Sequence, residues 1–456
     1  MSTPQDAKSQ LDALVSLISA SVSTFTSEYQ TAGISLPSLD DIPSASSSSV
    51  NSSAKLSEEA KARVVKAVKT IEAACAQLTA TVSSPGHIIL NKATAYEESA
   101  CLRAVNDAKI ADLLDSKPDG VHVSDLAKST GLEEDKLSRI LRLLSTTHVF
   151  QEVRPDVFAN NRVSAELLSR KSGGPVVDIV TNEQLKTAAY LGDYVREENP
   201  PFQHIYGKTV MEYFTDPNSR QRREIWARGI AGWIDLAGEE GLHKVYPWSS
   251  KLSKPFKICD VGAGNGHVML DLVKEFESSP IQTIVQDLPP TLELSKDFWG
   301  KNYPKAVNDR RVEFVPINFF EEEPVEGCDV YYMRFCLHNW SDELFVKIVS
   351  NIAGAMKKKG PECRFLMHDI VLDHPVKDIK LASIADGEPA PAPLLPNYGV
   401  SRFREYAGDL NMMVLLNAKE RSLAQITGLS RQAGLVLENT YRTGDASILE
   451  FKLEQI

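Results

Sequence analysis

The chain has 456 residues and a formal net charge of −11, and its 43% hydrophobic and 24% charged residues are typical of a globular protein. This length predicts two domains. Because no basic stripe compensates for the acidic balance, we expect neither nucleic acid nor another polyanion as a partner. No apolar run reaches the ~18 residues of a membrane span, and the N-terminus lacks the pattern of a signal peptide.

The cysteines are scattered singly along the chain, without a CxxC pair (Cys75, Cys101, Cys259, Cys328, Cys336, Cys363). Those in or beside predicted strands are expected to behave as small apolar side chains. This usage favours a reducing, cytoplasmic setting over a disulfide framework, and we predict no metal site.

The N-terminal third is predicted to be mainly helical. Apolar residues recur at three- and four-residue steps over residues 5–34 and 56–78, and residues 95–115 continue as helix. Between the first two helices, the stretch PSASSSSVNSS (residues 43–53) is of low complexity and predicts a flexible linker or exposed loop, with a regulatory phosphorylation site as the alternative.

Residues 121–161 predict a helix, a turn, a second helix and a hairpin. The first helix is entered at Val123 with Ser124 as N-cap, Gly131 ends it, and residues 133–145 form the second. A hairpin over residues 150–159 completes a winged-helix arrangement. Such a unit can recognise DNA, but the acids among its basic residues favour a structural or dimerising use.

Residues 165–250 predict further helices that are unusually aromatic (Tyr190, Tyr194, Phe202, Tyr206, Tyr213, Phe214, Trp226, Trp233). Most of these rings are expected in the core between helices. Some are candidates for lining a pocket for a flat substrate, since such pockets are apolar.

After residue 255, strands alternate with helices. The predicted strands are FKICDV, QTIVQD, VEFVPI, DVYYMR, RFLMHDIV and a last pair near residues 435–441 and 447–451. This alternation predicts a mostly parallel sheet covered on both faces. The proline-rich residues 373–399 interrupt it, and we predict a mobile surface insertion there, with a functional loop as the alternative.

A glycine-rich turn follows the first of these strands. Gly262 and Gly264 belong to a GxGxG pattern that lets the backbone approach a ligand closely, although His267 stands where a dinucleotide fingerprint has its third glycine. About twenty residues on, Asp287 ends the next strand, where a carboxylate can accept hydrogen bonds from both ribose hydroxyls. Asp260 adds a second polar anchor.

The segment VYYMRFCLHNWSDE carries His338 out of a buried strand to the edge of the sheet where ligands bind in open α/β folds. A lone histidine at such a place often only caps a turn. Beside a cofactor loop, however, its imidazole is a candidate general base. Asp369 and Glu420 are the candidate acids at the same edge.

These motifs resemble the S-adenosylmethionine-dependent O-methyltransferases of the caffeate and flavonoid type, particularly their fungal branch. The matching segments are DVGAGNG, VQDLPP, MRFCLHNWSDE, FLMHDIVL and NAKERS. The resemblance covers residues 55–456. It implies an α/β fold with a Rossmann-like class I methyltransferase sheet over residues 201–456. A helical, winged-helix dimerisation domain over residues 55–200 would precede it, and hence a homodimer, with residues 1–54 as an N-terminal helix and Ser-rich linker outside the resemblance.

The resemblance also implies roles for single residues. His338 matches the catalytic base, and Asp369 and Glu420 match the acids that position it. The residues implied for S-adenosylmethionine binding are Asp260, Gly262, Gly264, Asp287, Leu288, Asn318, Phe319 and Arg334. Among them, Asp287 would bind the ribose.

Four positions depart from the family pattern. Asn318 replaces an aspartate, Asn339 replaces the acid that often follows the histidine, and Asp369 is shorter than the usual glutamate. Ile230 stands where many members place a substrate-clamping methionine. The resulting hypothesis is methyl transfer to a hydroxyl of a small aromatic metabolite. The alternatives are a cofactor-binding pericyclase or dehydratase of the same fold and, less favoured, a winged-helix DNA-binding regulator.

Overall fold

The computed structural model describes residues 4–41, 56–238, 240–248, 251–252, 254–378 and 388–455. The chain divides into two compact units. The helical unit comprises Met1–Glu197, Pro201–Leu236 and Ala390–Ser401, and the sheet unit comprises Glu198–Pro200, Ala237–Pro389 and Arg402–Ile456. Residues 201–236 therefore cluster with the helical unit, whereas the sequence assigned them to the catalytic domain.

The helical unit contains thirteen α-helices among its described residues. They are α1 Pro4–Thr31, α2 Glu58–Val82, α3 Pro85–Thr94, α4 Tyr96–Asp107, α5 Ile110–Leu113, α6 Val123–Thr130, α7 Glu134–Thr146, α8 Gly173–Ile179, α9 Leu185–Ala188, α10 Leu191–Tyr194, α11 Pro201–Tyr206, α12 Val210–Thr215 and α13 Arg220–Leu236. A π-helical turn, Val180–Gln184, joins α8 to α9. The predicted linker over residues 43–53 lies outside the described residues.

The helix, turn, helix and hairpin predicted over residues 121–161 are present. Strands β1 Val121–His122, β2 Phe150–Arg154 and β3 Val157–Asn160 form an antiparallel sheet in the order β1-β3-β2 beside α6 and α7. The predicted N-cap was wrong: His122, not Ser124, caps α6, because its side chain accepts a hydrogen bond from the Ser124 backbone N–H. Gly131 ends this helix in the left-handed conformation, as expected.

Part of the proline-rich insertion is packed rather than mobile. Ala390 and Leu394 are buried in a cluster with Leu14 of α1 and with Ala73 and Ala74 of α2. The prediction of a mobile surface insertion was therefore wrong for residues 390–399, which belong to the helical unit. Residues 379–387 of the insertion lie outside the described part of the chain.

Most of the aromatic residues of α10 to α13 contact one another. The ring of Phe202 is fully buried and lies 4.4 Å from that of Tyr206 and 5.5 Å from that of Tyr213, measured between centroids. Phe214 continues the chain of contacts to Trp226 at 4.7 Å. The structure therefore places Phe202 in the core, whereas the rings that contact it and extend the cluster to Trp226 are only partly buried.

The sheet unit is built on seven strands in the order β6-β5-β4-β7-β8-β10-β9. The strands are β4 Phe256–Val261, β5 Ile281–Asp287, β6 Val312–Pro316, β7 Val330–Arg334, β8 Arg364–Ile370, β9 Leu435–Arg442 and β10 Ala446–Leu453. All neighbours from β6 to β8 are parallel, and β10 is antiparallel to both β8 and β9. The prediction of a mostly parallel sheet is confirmed.

Helices and buried side chains cover this sheet. The helices are α14 Leu242–Val245, α15 His267–Glu275, α16 Pro289–Asn302, α17 Pro304–Asn308, α18 Asp342–Lys359, α19 Phe403–Leu416 and α20 Leu423–Gln432. One core cluster contains Tyr331 and Phe365, and a second contains Tyr332 and Leu366. Because neighbouring residues of one strand point to opposite faces, both faces of β7 and β8 are buried. No helix among the described residues is long and apolar enough to cross a bilayer.

Candidate functional site

The carboxyl ends of β4, β5, β7 and β8 carry the residues that the sequence selected. The chain order reverses between β4 and β7, because β5 and β6 lie on one side of β4 and β7 and β8 lie on the other. In open α/β sheets, ligands bind at such a switch point, outside the carboxyl ends of the strands. Asp260, Asp287, Arg334 and Asp369 all belong to the last residues of these strands.

The glycine-rich loop follows β4 directly. Gly262 has a φ of 75°, and a Cβ there would lie 3.3 Å from the Cys336 sulfur and 3.4 Å from the Phe319 ring. Gly264 has a φ of 59°, but a Cβ there would meet no atom within 4 Å. The backbone at Gly264 therefore borders open space, and a ligand can approach it closely.

Asp287 is bound to this loop. Its Oδ2 accepts a hydrogen bond from the Gly264 N–H at 2.9 Å, and its Oδ1 accepts one from the Leu288 N–H at 2.7 Å. Burial raises the pKa of Asp287, and these backbone donors oppose the rise. Leu288 is the N-cap residue of α16 and is exposed. The carboxylate thus stands beside the open face of Gly264, where ribose hydroxyls of an adenosyl group would meet it.

Asp260 and Arg334 lie on neighbouring strands behind the loop. Burial, followed by repulsion from Asp287, raises the pKa of Asp260 to about 8, and the charge of Arg334 opposes this rise. The Arg334 guanidinium lies over the Phe335 ring, and its Nη1 is 3.4 Å from Nε2 of His267. The sequence singled out His267 only as a departure from a dinucleotide fingerprint and did not reveal this contact.

Phe319 belongs to an aromatic wall beside Gly262, and Asn318 directly precedes it. The Phe319 ring packs at 4.8 Å from that of Phe320 and at 6.3 Å from that of Trp340, measured between centroids. The amide oxygen of Asn318 accepts a hydrogen bond from the Phe320 N–H. Open space at Gly264, the Asp287 carboxylate and this apolar wall suit an adenosyl group, so the residues present fit the cofactor that the sequence implies.

His338 lies in a short 3-10 turn, Leu337–Asn339, which we call the His338 turn. Its Nδ1 is 2.6 Å from Oε1 of Glu420, and its side chain is only 13% exposed. Burial lowers the pKa of His338, but the charge and hydrogen bond of Glu420 and the charge of Asp369 outweigh burial and raise the pKa to about 9. Phe335, just before the turn, has a φ of 45°, which non-glycine residues adopt mostly at constrained sites.

Asp369 differs from Glu420 in how it acts on the histidine. Its carboxylate is buried, and neither oxygen has a hydrogen-bond partner among the described residues. Burial raises the pKa of Asp369 to about 7, and the charges of His338 and Arg421 oppose this shift. Asp369 therefore interacts with His338 through its charge. Asn339 is another departure from the family pattern, and its side-chain amide donates a hydrogen bond to the Phe335 carbonyl at 3.3 Å.

Two family models match the chain, the O-methyltransferase dimerisation domain over residues 90–170 and the O-methyltransferase domain over residues 188–388. Among curated proteins, the chain is similar to 3-O-methyltransferase 2 of Phanerochaete chrysosporium, with 39% identity over 458 residues and 98% of each chain covered. Contrary to the expectation from the motifs, this match includes most of residues 1–54.

Solved structures show the same fold. The chain is similar to the mitomycin 7-O-methyltransferase MmcR with a TM-score of 0.64 and 24% identity, covering 81% of this chain and 97% of that one. It is also similar to a chain described as a pericyclic reaction enzyme, with a TM-score of 0.64 and 19% identity, covering 88% and 96%. At these identities the likeness shows the fold alone, and the reaction has to be argued from the residues of the site.

Proposed function

The chain belongs to the S-adenosylmethionine-dependent O-methyltransferases, and we propose that it methylates a hydroxyl group of a small aromatic metabolite with His338 as the general base. The observation that carries this proposal is the 2.6 Å contact between His338 Nδ1 and Glu420 Oε1 at the ligand-binding edge of the sheet. S-adenosylmethionine, the cofactor of this family, supplies an electrophilic methyl group when bound.

The contact with Glu420 assigns the two nitrogens of His338. A carboxylate only accepts hydrogen bonds, so Nδ1 carries a proton and donates it to Glu420. The lone pair of the neutral ring is then on Nε2, which is the atom that takes the proton of the acceptor hydroxyl. Glu420 stabilises the imidazolium formed in this step, and the charge of Asp369 adds to that stabilisation.

The pKa of His338 favours an aryl hydroxyl as the acceptor. Its value of about 9 is close to the ~10 of an ordinary phenol, so a proton moves between the two at little cost in free energy. An aliphatic alcohol is a much weaker acid and gains less from this base. General-base assistance of this kind contributes typically ~10²–10⁴-fold, and alignment of the reacting atoms contributes the rest.

For cofactor binding we propose the residues around the glycine loop. The carboxylate of Asp287 would bind the ribose, the Phe319 ring would border the adenine, and the open backbone at Gly264 would admit the chain that bears the sulfonium. The positive charge of Arg334 acts on Asp260 and offsets part of the negative charge at this edge. These assignments rest on position and on chemical fit to the cofactor.

The helical unit supports a homodimer. The dimerisation-domain model matches residues 90–170. Helix α3 buries none of its residues, and its apolar side chains Ile89 and Leu90 are 65% and 62% exposed. DNA binding has little support, since Arg142 of α7 is engaged by Glu152 and Asp156 at 2.8 to 3.0 Å. These two acids neutralise the charge that would contact phosphate.

The test is transfer of a labelled methyl group from S-adenosylmethionine to a panel of mono- and dihydroxylated arenes. We expect labelled product with the native chain and a loss of about 10²-fold or more in kcat with His338→Ala. Full methyl transfer by His338→Ala would exclude His338 as the base. Tight cofactor binding without a labelled product from any acceptor would favour the pericyclase or dehydratase alternative, which the presence of His338, Asp369 and Glu420 disfavours.

A further inference from the structure

Arg421 follows Glu420 in the chain, and we propose that it is a positioning residue that holds the His338 turn in register with Glu420. Its side chain is only 2% exposed and lies over the Phe345 ring, with the guanidinium carbon 4.9 Å from the ring centroid. Nothing in the sequence motif distinguishes it from an exposed charge at a helix start. The inference rests on the proposed role of His338 and deepens it.

The guanidinium binds the backbone on both sides of the histidine. Nη1 donates to the Leu337 carbonyl at 3.1 Å, and Nη2 donates to the Trp340 carbonyl at 2.7 Å. Leu337 immediately precedes His338, and Trp340 lies two residues beyond it. These two bonds therefore fix both ends of the His338 turn relative to Arg421.

The backbone of Arg421 is bound in turn to the segment that directly follows β8. It forms an isolated parallel bridge with Val371, and its carbonyl accepts the Leu372 N–H at 3.1 Å. Asp369 lies two residues before Val371 on the same segment. On the other side, the N–H of Glu420 donates to Asp409 of α19 at 2.8 Å. Residues 420 and 421 thus connect the His338 turn to α19 and to the segment that carries Asp369.

Arginine suits this place because two carbonyls are bound by two different nitrogens of one planar group. A lysine ammonium is a single point on a flexible stem and cannot reproduce that fork. The third donor, Nε, binds Asp342 at 2.9 Å, so the buried cation has an anionic partner. Lys419 binds the other oxygen of Asp342 at 2.8 Å but contacts neither carbonyl.

A short contact such as that of His338 with Glu420 depends on the relative position of its two segments. Loss of one carbonyl bond would let the His338 turn move away from Glu420. The charged groups that face His338 are Glu420, from the loop between α19 and α20, and Asp369, from β8. The charge of Arg421 acts on Asp369 in turn. Arg421→Lys keeps the positive charge, so its effect reports on position rather than on electrostatics.

The experiment compares the native chain with Arg421→Lys, Arg421→Gln and the control Lys419→Met. Titration of imidazole ring signals by NMR in the substrate-free protein follows His338, identified by the signal that His338→Asn lacks. We expect its titration near pH 9 to move towards 6.5 in both Arg421 variants and to stay in Lys419→Met. We also expect kcat to fall by about 10²-fold in the Arg421 variants, with the dissociation constant for S-adenosylmethionine unchanged.

An unchanged histidine titration in a folded Arg421 variant would overturn the proposal. Loss of the folded state in both variants would overturn it as well, because Arg421 would then be a residue of the fold rather than of the site. The titration needs no substrate, so it decides on Arg421 even if the native chain transfers no methyl group. That last result would count against the proposed function alone.

Discussion

The substitution Glu420→Gln removes the charge of the acid that binds His338 and keeps a side chain of the same length. In the native chain, Glu420 and Asp369 together raise the pKa of His338 from 6.5 to about 9 in spite of burial. A shift of this size corresponds to about 3 kcal/mol of preferential stabilisation of the imidazolium. Of the two acids, Glu420 has the larger effect on this pKa. Without its charge, burial dominates, and we expect the pKa of His338 to fall to about 6.5 or below.

The assay is the pH dependence of kcat/KM, which reports the pKa of the base in the free enzyme. For the native chain we expect kcat/KM to rise with pH to a limb near 9. For Glu420→Gln the limb should move to neutral pH or lower. The plateau should fall by about 10²-fold, because the imidazolium formed in the transition state has lost about 3 kcal/mol. A limb that stays at its native position in the variant would refute the role given to Glu420.

The same pair predicts how stability depends on pH. Because the folded-state pKa of His338 is raised, its contribution is fully present below pH 6.5 and is lost as the pH rises through about 9. Over this window the native chain should lose up to about 3 kcal/mol more unfolding free energy than Glu420→Gln in chemical denaturation. Glu343→Gln, an exposed acid of α18, is the matched control and should retain the native pH dependence. Equal losses in the native chain and Glu420→Gln would contradict the pairing.

Three further predictions concern the cofactor loop and the dimer. Asp287→Asn should weaken S-adenosylmethionine binding by about 1.5–3 kcal/mol in calorimetry, since the hydrogen bonds lost are those of a charged acceptor; native affinity would remove Asp287 from the site. Gly264→Ala should cost about 1–2 kcal/mol of stability through its φ of 59°. It should also weaken cofactor binding, because the new methyl group enters the open space proposed for the cofactor; a purely structural effect would leave the affinity intact. Ile89→Glu with Leu90→Glu on the exposed face of α3 should convert the protein to a monomer in light scattering, and a persistent dimer would place the interface elsewhere.

The sheet and its functional edge follow from local patterns. Strand, glycine turn and helix recur after residue 255, and parallel strands bring their carboxyl ends to one edge. This is why Gly264, Asp287 and His338 were predictable as neighbours although 23 residues separate Gly264 from the Asp287 carboxylate that it binds. Each position also has a chemical reason for its residue type, so the motif can be recognised from the sequence without a structure.

Other features depend on contacts between distant segments, which no local pattern encodes. Residues 390–401 are rich in proline and poor in periodicity, yet Leu394 is buried against Leu14, from the opposite end of the chain. The N-cap of α6 was misassigned because His122 and Ser124 both offer an acceptor two residues apart, and only the backbone conformation decides which one caps. Arg421 was missed because its partners are carbonyls, which are identical for every residue type.

The two acids near His338 act on it in different ways, which compensates for the aspartate at position 369 in place of the family's glutamate. The shorter Asp369 makes no hydrogen bond with the histidine in the described structure, whereas Glu420 makes a 2.6 Å contact. Geometry is therefore supplied by Glu420, and Asp369 supplies negative charge from a buried position. Because burial raises the pKa of Asp369 to about 7, that charge is present above neutral pH and fades below it. The negative charge of Asp369 therefore adds to that of Glu420 only above about pH 7, where it strengthens His338 as a base.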